Sequence, residues 1–327
     1  MKAIVIDTSE PARPLAFREV PDPIAGPNDL LVAVRAAALN RADLRRAASH
    51  FAASEQGSSV AIAGLELAGE VVAMGAEVQG FAVGDRVMAM AGNAYAEKAT
   101  IDYRLAIPVP TTFTWQQAAA TPITFVTAYD ALVNAAALKQ GEAVFVQGAS
   151  TGAGIAAVQL ARTKGARLVL GTAGDTTKLA RLRDLGCDVP IDYRTRNFVD
   201  VVRENTNSAG AEVILDHVGG TAAQGNIDAA AIKGRIVCVG RVSGVEATIN
   251  LDEFARKRLR LIGVTFRTRT LDERIQVIRS FCNDILPLLE NKSVQPVIDS
   301  VYPLADAALA QERMRANLHF GKIILET

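Results

Sequence analysis

The chain has 327 residues, enough for two domains and a large core. Half of the residues are apolar, only 5% are aromatic, and 35 basic side chains balance 35 acidic ones. A formal net charge of zero supplies no field to draw nucleic acid or an anionic membrane, so neither is expected as a partner.

The first residues, Met1 to Asp7, have a strand pattern without the basic-then-apolar layout of a signal peptide. No run of about eighteen uninterrupted apolar residues occurs, so no transmembrane helix is expected. Cys187, Cys238 and Cys282 are odd in number and far apart, which fits a reducing compartment and small buried hydrophobes. The expected localisation is cytoplasmic.

Residues 1 to about 110 read as mostly β. Strand-like runs are Leu30–Val34, Leu67–Ala73, Arg86–Met90 and Ala94–Ala99, divided by turn signals such as Pro21-Asp22-Pro23 and Val83-Gly84-Asp85. Short strands at close spacing predict a barrel-like β domain. Trp115 to Leu138 is alanine-rich and helical, with Pro122 as a break. From Ala143 strands and helices alternate. Strands are predicted at Ala143–Gln147, Leu168–Leu170, Val189–Ile191, Glu212–Asp216, Arg235–Val239 and Leu259–Val264. Helices are predicted at Ile155–Lys164, Thr177–Leu185, Val199–Asn205 and Thr221–Ala231. That alternation implies a parallel sheet covered on both faces. Helices at Asp272–Glu290 and Leu304–Ala316 and a strand at Lys322–Leu325 close the chain.

The most informative stretch is Gly148-Ala149-Ser150-Thr151-Gly152-Ala153-Gly154, between the first of these strands and its helix. Small residues there let the backbone approach a pyrophosphate, and the free N–H groups at the helix start hold its charge. Thr151 stands where the usual fingerprint has its middle glycine.

Several segments together resemble one family. They are Ala38 to Leu44, Gly64 to Val71, Val83 to Val87, Gly148 to Gly154, Leu215 to Gly220 and Phe320 to Leu325. On these the chain is similar, over essentially its full length, to the medium-chain dehydrogenase/reductase superfamily and its zinc-independent NADPH:quinone oxidoreductases (zeta-crystallin-like). The resemblance implies an α/β protein: a Rossmann-type doubly wound parallel sheet domain inserted in a GroES-like β-barrel catalytic domain. The implied divisions are 1–120 for the catalytic domain, 121–264 for the dinucleotide-binding domain and 265–327 for a C-terminal return.

Zinc-dependent members bind the metal through a Cys in the first segment and a Gly-His-Glu in the second. Here Asn40 and Leu65 stand in those places, and neither gives zinc a suitable donor. No Cys precedes position 187, and His50, His217 and His319 lack ligand spacing. No zinc is expected. The cofactor expectation is NADPH over NADH. Nineteen residues beyond Gly154 comes Ala173, which has no carboxylate for a ribose, with Thr172, Lys178 and Tyr193 nearby. Lys178 and Tyr193 match family positions for the 2′-phosphate. Asp175 is the contrary feature, as a like charge. By resemblance, Thr127, Gly240, Arg241, Phe266, Arg267 and Asn317 complete the cofactor set.

The implied reaction is hydride transfer to a small-molecule quinone or enone, whose oxyanion needs donors. Asn40 is the foremost candidate beside the acceptor, with Arg45, Tyr129 and Arg267 behind it. Phe51 departs from the family, which usually has Tyr there, so the acceptor can differ from that of relatives. Enoyl-thioester reduction is an alternative, with Arg41, Arg45 and Arg46 as a carrier-binding cluster. A non-catalytic NADPH-binding protein, crystallin-like or RNA-binding, is another. Family members pair as homodimers through sheet edges, and the Leu259–Val264 run suits that role.

Overall fold

A computed structural model describes residues 1–6, 15–44 and 61–327. The chain divides into two compact units, one formed by Met1–Ile123 with Phe266–Thr327 and the other by Thr124–Thr265.

The second unit holds six parallel strands. Across the sheet they run Val189–Asp192, Leu168–Ala173, Ala143–Gln147, Ala211–Asp216, Ala230–Cys238 and Arg260–Gly263. In chain order this is 3-2-1-4-5-6, the Rossmann arrangement. Every residue of Ala143–Gln147 is buried, as expected of a central strand with helices on both faces. Phe145 stacks on Phe198 of the helix Phe198–Asn205 with ring centroids 5.4 Å apart. Arg260–Gly263 pairs only with Ala230–Cys238 and ends the sheet among the described residues, with Leu261 exposed.

The first unit carries a seven-stranded sheet. Its central strand, Asp29–Ala38, lies antiparallel to Glu66–Met74 on one side and to Lys322–Glu326 on the other. Both neighbours therefore begin where the central strand ends. That topology brings residues 40, 66 and 322 together, although the chain separates them widely. Alternation of buried and partly exposed residues along Asp29–Ala38 gives one face to a core of Leu30, Val32, Val34, Leu67, Ile101 and Ile323.

Two sequence expectations need correction. Residues 94–97 do not form a strand of the sheet; it begins later, at Lys98–Asp102. The earlier residues bond to the first strand instead, with the Ile4 N–H donating to the Tyr95 carbonyl. The break expected at Pro122 is there: one helix, Trp115–Ala119, ends before it, and Pro122 opens the next, Pro122–Tyr129, because its missing N–H costs nothing in a first turn. The chain then widens into a π-turn at Asp130–Ala135. The helix expected over Thr221–Ala231 is confined to Ala223–Ala229, since Ala230 already belongs to the next strand.

Candidate active site

In the second unit the glycine turn follows the strand Ala143–Gln147 and leads into the helix Gly152–Thr163. Gly148 has φ +70, a conformation that favours glycine. A Cβ on Gly154 would lie 2.4 Å from the Gly148 carbonyl oxygen, so only glycine lets the helix seat against the turn. Thr151, by contrast, has φ −77 and ψ 161 and needs no glycine. Its hydroxyl donates to the Gly148 carbonyl at 2.9 Å and accepts the Gly154 N–H at 3.1 Å, capping the helix. The N–H groups of Gly152 and Ala153, in the first turn, have no partner within the helix and lie at its positive end.

Beneath the turn is a buried polar network. Thr172 donates its hydroxyl proton to Gln147 Oε1 at 2.9 Å and accepts the Gly148 N–H at 2.8 Å. Only 1% exposed, Thr172 holds the turn from below. Gln147 donates in turn to Asn226 Oδ1, and the Gln147 carbonyl meets His217 Nδ1 at 2.8 Å. Desolvation lowers the His217 pKa, and because a carbonyl only accepts, Nδ1 carries the proton in this contact.

At the end of the strand Leu168–Ala173, Gly174 leaves space for Tyr193, whose hydroxyl would lie 2.7 Å from a Cβ there. Asp175 caps the helix Thr176–Asp184 by accepting the Lys178 N–H at 2.9 Å. Its other oxygen is 3.7 Å from Lys178 Nζ. Lys178, Tyr193 and Asp175 are thus neighbours around one strand end. Ala173 is buried there with no polar side chain. Gly240 follows Ala230–Cys238, and a Cβ on it would lie 2.2 Å from the His217 carbonyl oxygen. Arg241 is exposed and Thr127 half-buried, whereas Tyr129 is 2% exposed and enclosed by core.

The first unit gathers a second set of polar groups. Lys322 Nζ donates to Glu66 Oε1, to the Leu39 carbonyl and, at 2.9 Å, to Asn40 Oδ1. Asn40 Nδ2 donates to Glu66 Oε1 at 2.9 Å and to the Ala38 carbonyl at 3.3 Å. Glu66 Oε2 accepts the Ile123 N–H at 2.8 Å. The side chain of Glu66 is fully buried and that of Lys322 is 4% exposed. Asp43 Oδ2 accepts both the Asn40 N–H and the Tyr95 hydroxyl proton, each at 2.7 Å. Burial pushes the Asp43 carboxyl up to about 6 and the Tyr95 phenol well above its ordinary range.

Asn317 has φ +57 and accepts from Arg41 Nη2 at 2.6 Å, which ties it to Arg41. Phe266 is half-buried beneath the Arg269 guanidinium, 4.7 Å from its ring centroid, and Arg267 is exposed. Arg45, Arg46, His50 and Phe51 lie outside the described residues.

Two family profiles match the chain: an alcohol dehydrogenase GroES-like domain over residues 26–113 and a zinc-binding dehydrogenase over 185–325. Rat quinone oxidoreductase (Rattus norvegicus) is 31% identical over 265 residues, covering 80% of this chain and 78% of that protein. The chain belongs to the medium-chain dehydrogenase/reductase superfamily.

Other proteins extend the likeness. The synaptic vesicle membrane protein VAT-1 homolog of Homo sapiens is 29% identical over 326 residues, 95% of this chain and 82% of that one. The squalestatin tetraketide synthase of Phoma sp. is 32% identical over 276 residues, 81% of this chain but 10% of that far longer protein. A mycobacterial structure in complex with NADPH superposes with TM-score 0.88 at 25% identity, covering 100% of both chains. The quinone oxidoreductase of Pseudomonas syringae gives TM-score 0.85 at 27% identity, covering 100% of this chain and 99% of that one. An oxidoreductase of this superfamily thus combines a GroES-like domain with a Rossmann sheet. Among the described residues, no group of three or more His, Cys, Asp or Glu side chains is placed to hold a metal ion. No helix among them is long and apolar enough to cross a membrane.

Sequence reasoning missed Glu66, Lys322, Asp43 and Tyr95. A signal was present for the first two, because Leu65-Glu66-Leu67 and Gly321-Lys322-Ile323 each set one charge inside an apolar strand. Such a charge is rarely buried unless paired.

Proposed function

We propose that this chain reduces quinones or α,β-unsaturated carbonyl compounds with NADPH by metal-free hydride transfer. The observation that carries the reading is the turn at Gly148–Gly154, where a close glycine contact and two unspent helix N–H groups form a cradle for a pyrophosphate. NADPH supplies the hydride when bound. Gly152 and Ala153 N–H groups bind its pyrophosphate, while Thr172 and Thr151 keep the turn in shape. Lys178 and Tyr193 receive the 2′-phosphate. Asp175 opposes that phosphate less than its charge suggests, because its two oxygens serve the Lys178 N–H and ammonium.

The metal-free reading rests on the donor set. Asn40 and Leu65 stand at the places that resemblance gives to metal ligands, and Leu65 is buried in the core. The open strand Arg260–Gly263, with exposed Leu261, supports a homodimer formed edge to edge. A cytoplasmic location agrees with three free cysteines.

The test is NADPH oxidation with 1,4-benzoquinone and 9,10-phenanthrenequinone, repeated with NADH and after dialysis against a chelator. Turnover that prefers NADPH and survives chelation is expected. Tight NADPH binding without turnover on any acceptor would sink the enzymatic reading. A second reading, enoyl-thioester reduction, is favoured by the likeness to the squalestatin tetraketide synthase. Faster turnover of crotonyl-CoA than of either quinone would select it.

A further inference from the structure

We infer that Lys322 and Glu66 are positioning residues that present Asn40 as a hydrogen-bond acceptor, so its ligand partner is an N–H or O–H donor and not a developing oxyanion. The inference rests on the reading that Asn40 lines the active site.

The orientation of the Asn40 amide follows from its neighbours. An ammonium only donates, so the atom beside Lys322 Nζ at 2.9 Å must be the oxygen. A carboxylate and a backbone carbonyl only accept, so the atom facing Glu66 Oε1 at 2.9 Å and the Ala38 carbonyl at 3.3 Å must be the nitrogen. Both N–H bonds are thereby spent inside the protein. Asn40 Oδ1 has two lone pairs and Lys322 takes one. The remaining valence of this half-buried side chain is one acceptor site. The backbone is fixed as well, by Asp43 Oδ2 on the Asn40 N–H. Lys322 has no further donor to offer, since its three protons meet Leu39, Asn40 and Glu66. The two buried charges therefore act through residue 40. Two sources of a donor fit: the nicotinamide carboxamide, or a hydroxyl on the acceptor side.

The test compares Asn40→Leu with the exchanged pair Asn40→Asp/Glu66→Gln. The pair conserves net charge and keeps acceptor oxygens at 40 without an N–H. The amide introduced at position 66 can give its oxygen to the Ile123 N–H and its nitrogen to residue 40, while the Lys322 ammonium, which then faces that nitrogen, moves its ion pair to the new carboxylate at 40. Calorimetric dissociation constants for NADPH and for 2′,5′-ADP, which lacks the nicotinamide, are read beside kcat and KM for 1,4-benzoquinone. Asn40→Leu should lose about tenfold in one of these, and the exchanged pair should recover most of that loss. A loss on NADPH but not on 2′,5′-ADP assigns the donor to the carboxamide, and a loss confined to kcat or KM assigns it to the acceptor side. Equal loss in both variants, or none in Asn40→Leu, overturns the inference.

A second measurement needs no variant. The Asn40 side-chain amide protons are followed in isotope-labelled wild type by magnetic resonance. Both should be protected from solvent exchange and unmoved by NADPH. Rapid exchange of either proton overturns the inference, whatever becomes of the cofactor reading. The positioning role has its own check: Glu66→Gln/Lys322→Met should track Asn40→Leu, while Lys322→Arg keeps ligand binding closer to wild type.

Discussion

Tyr95 gives its hydroxyl proton to Asp43 Oδ2 at 2.7 Å, on the same oxygen that holds the backbone of Asn40. Burial dominates the Asp43 carboxyl, and the two hydrogen bonds only partly offset it, so its pKa rises from 3.8 to about 6. The folded state then binds this proton more tightly than the unfolded chain. The stabilisation is complete below the unfolded value and is lost as pH rises through about 6, a contribution of about 3 kcal/mol. Asp43→Asn keeps an acceptor for both donors and removes the titration. Urea unfolding of wild type and variant at about pH 4 and about pH 7 should show the variant gaining relative stability at the higher pH. Parallel behaviour at the two pH values would contradict the assignment.

Thr151 contributes a cap that the glycine of the usual fingerprint lacks. Thr151→Ala should cost about 1 kcal/mol of unfolding free energy, and Thr151→Ser should restore most of it. Thermal or chemical denaturation of the three proteins decides the point.

Gly154→Ala addresses the turn itself. The added methyl meets the Gly148 carbonyl oxygen at 2.4 Å and backbone atoms of Ala149 at 2.7 and 2.8 Å, none of which is a flexible side-chain end. The expected outcome is a loss of about 1–3 kcal/mol in stability. NADPH affinity should fall at least about tenfold in calorimetry, because the N–H groups no longer converge.

Asp175→Asn separates the cap from the charge. Asn caps as well as Asp, so stability should change by less than about 0.5 kcal/mol. Relief of the like charge should tighten NADPH by a few-fold while leaving NADH unaltered, and Lys178→Ala should do the reverse. Steady-state KM values for both cofactors in the two variants test this pair of expectations.

The three thiols should be inert in the native protein. Burial pushes Cys187 up to about 12 and Cys282 up to about 11, and it raises Cys238 as well. Thiolate is the reactive form, so alkylation by iodoacetamide near neutral pH should be detectable by mass spectrometry only after unfolding. Labelling of the native protein at Cys187 would count against its enclosure.

Local patterns suffice to specify the architecture of the second unit, because strand runs, helix periodicity and glycine turns have local causes. Ala143–Gln147, the helix that follows it and the glycine turn between them can each be read from neighbours a few residues away. Thr151 was legible as a deviation, but its reason was not, since capping depends on backbone angles. The strand expected at Ala94–Ala99 went astray because Lys2 to Ile4, more than ninety residues earlier, takes those backbone groups. The orientation of the Asn40 amide is settled by long-range packing instead. That amide donates to Glu66, 26 residues away, and accepts from Lys322, 282 residues away. Those partners arrive because two strands begin beside the end of a third. Pairing between distant strands fixes that meeting, and no local pattern around Asn40 encodes it.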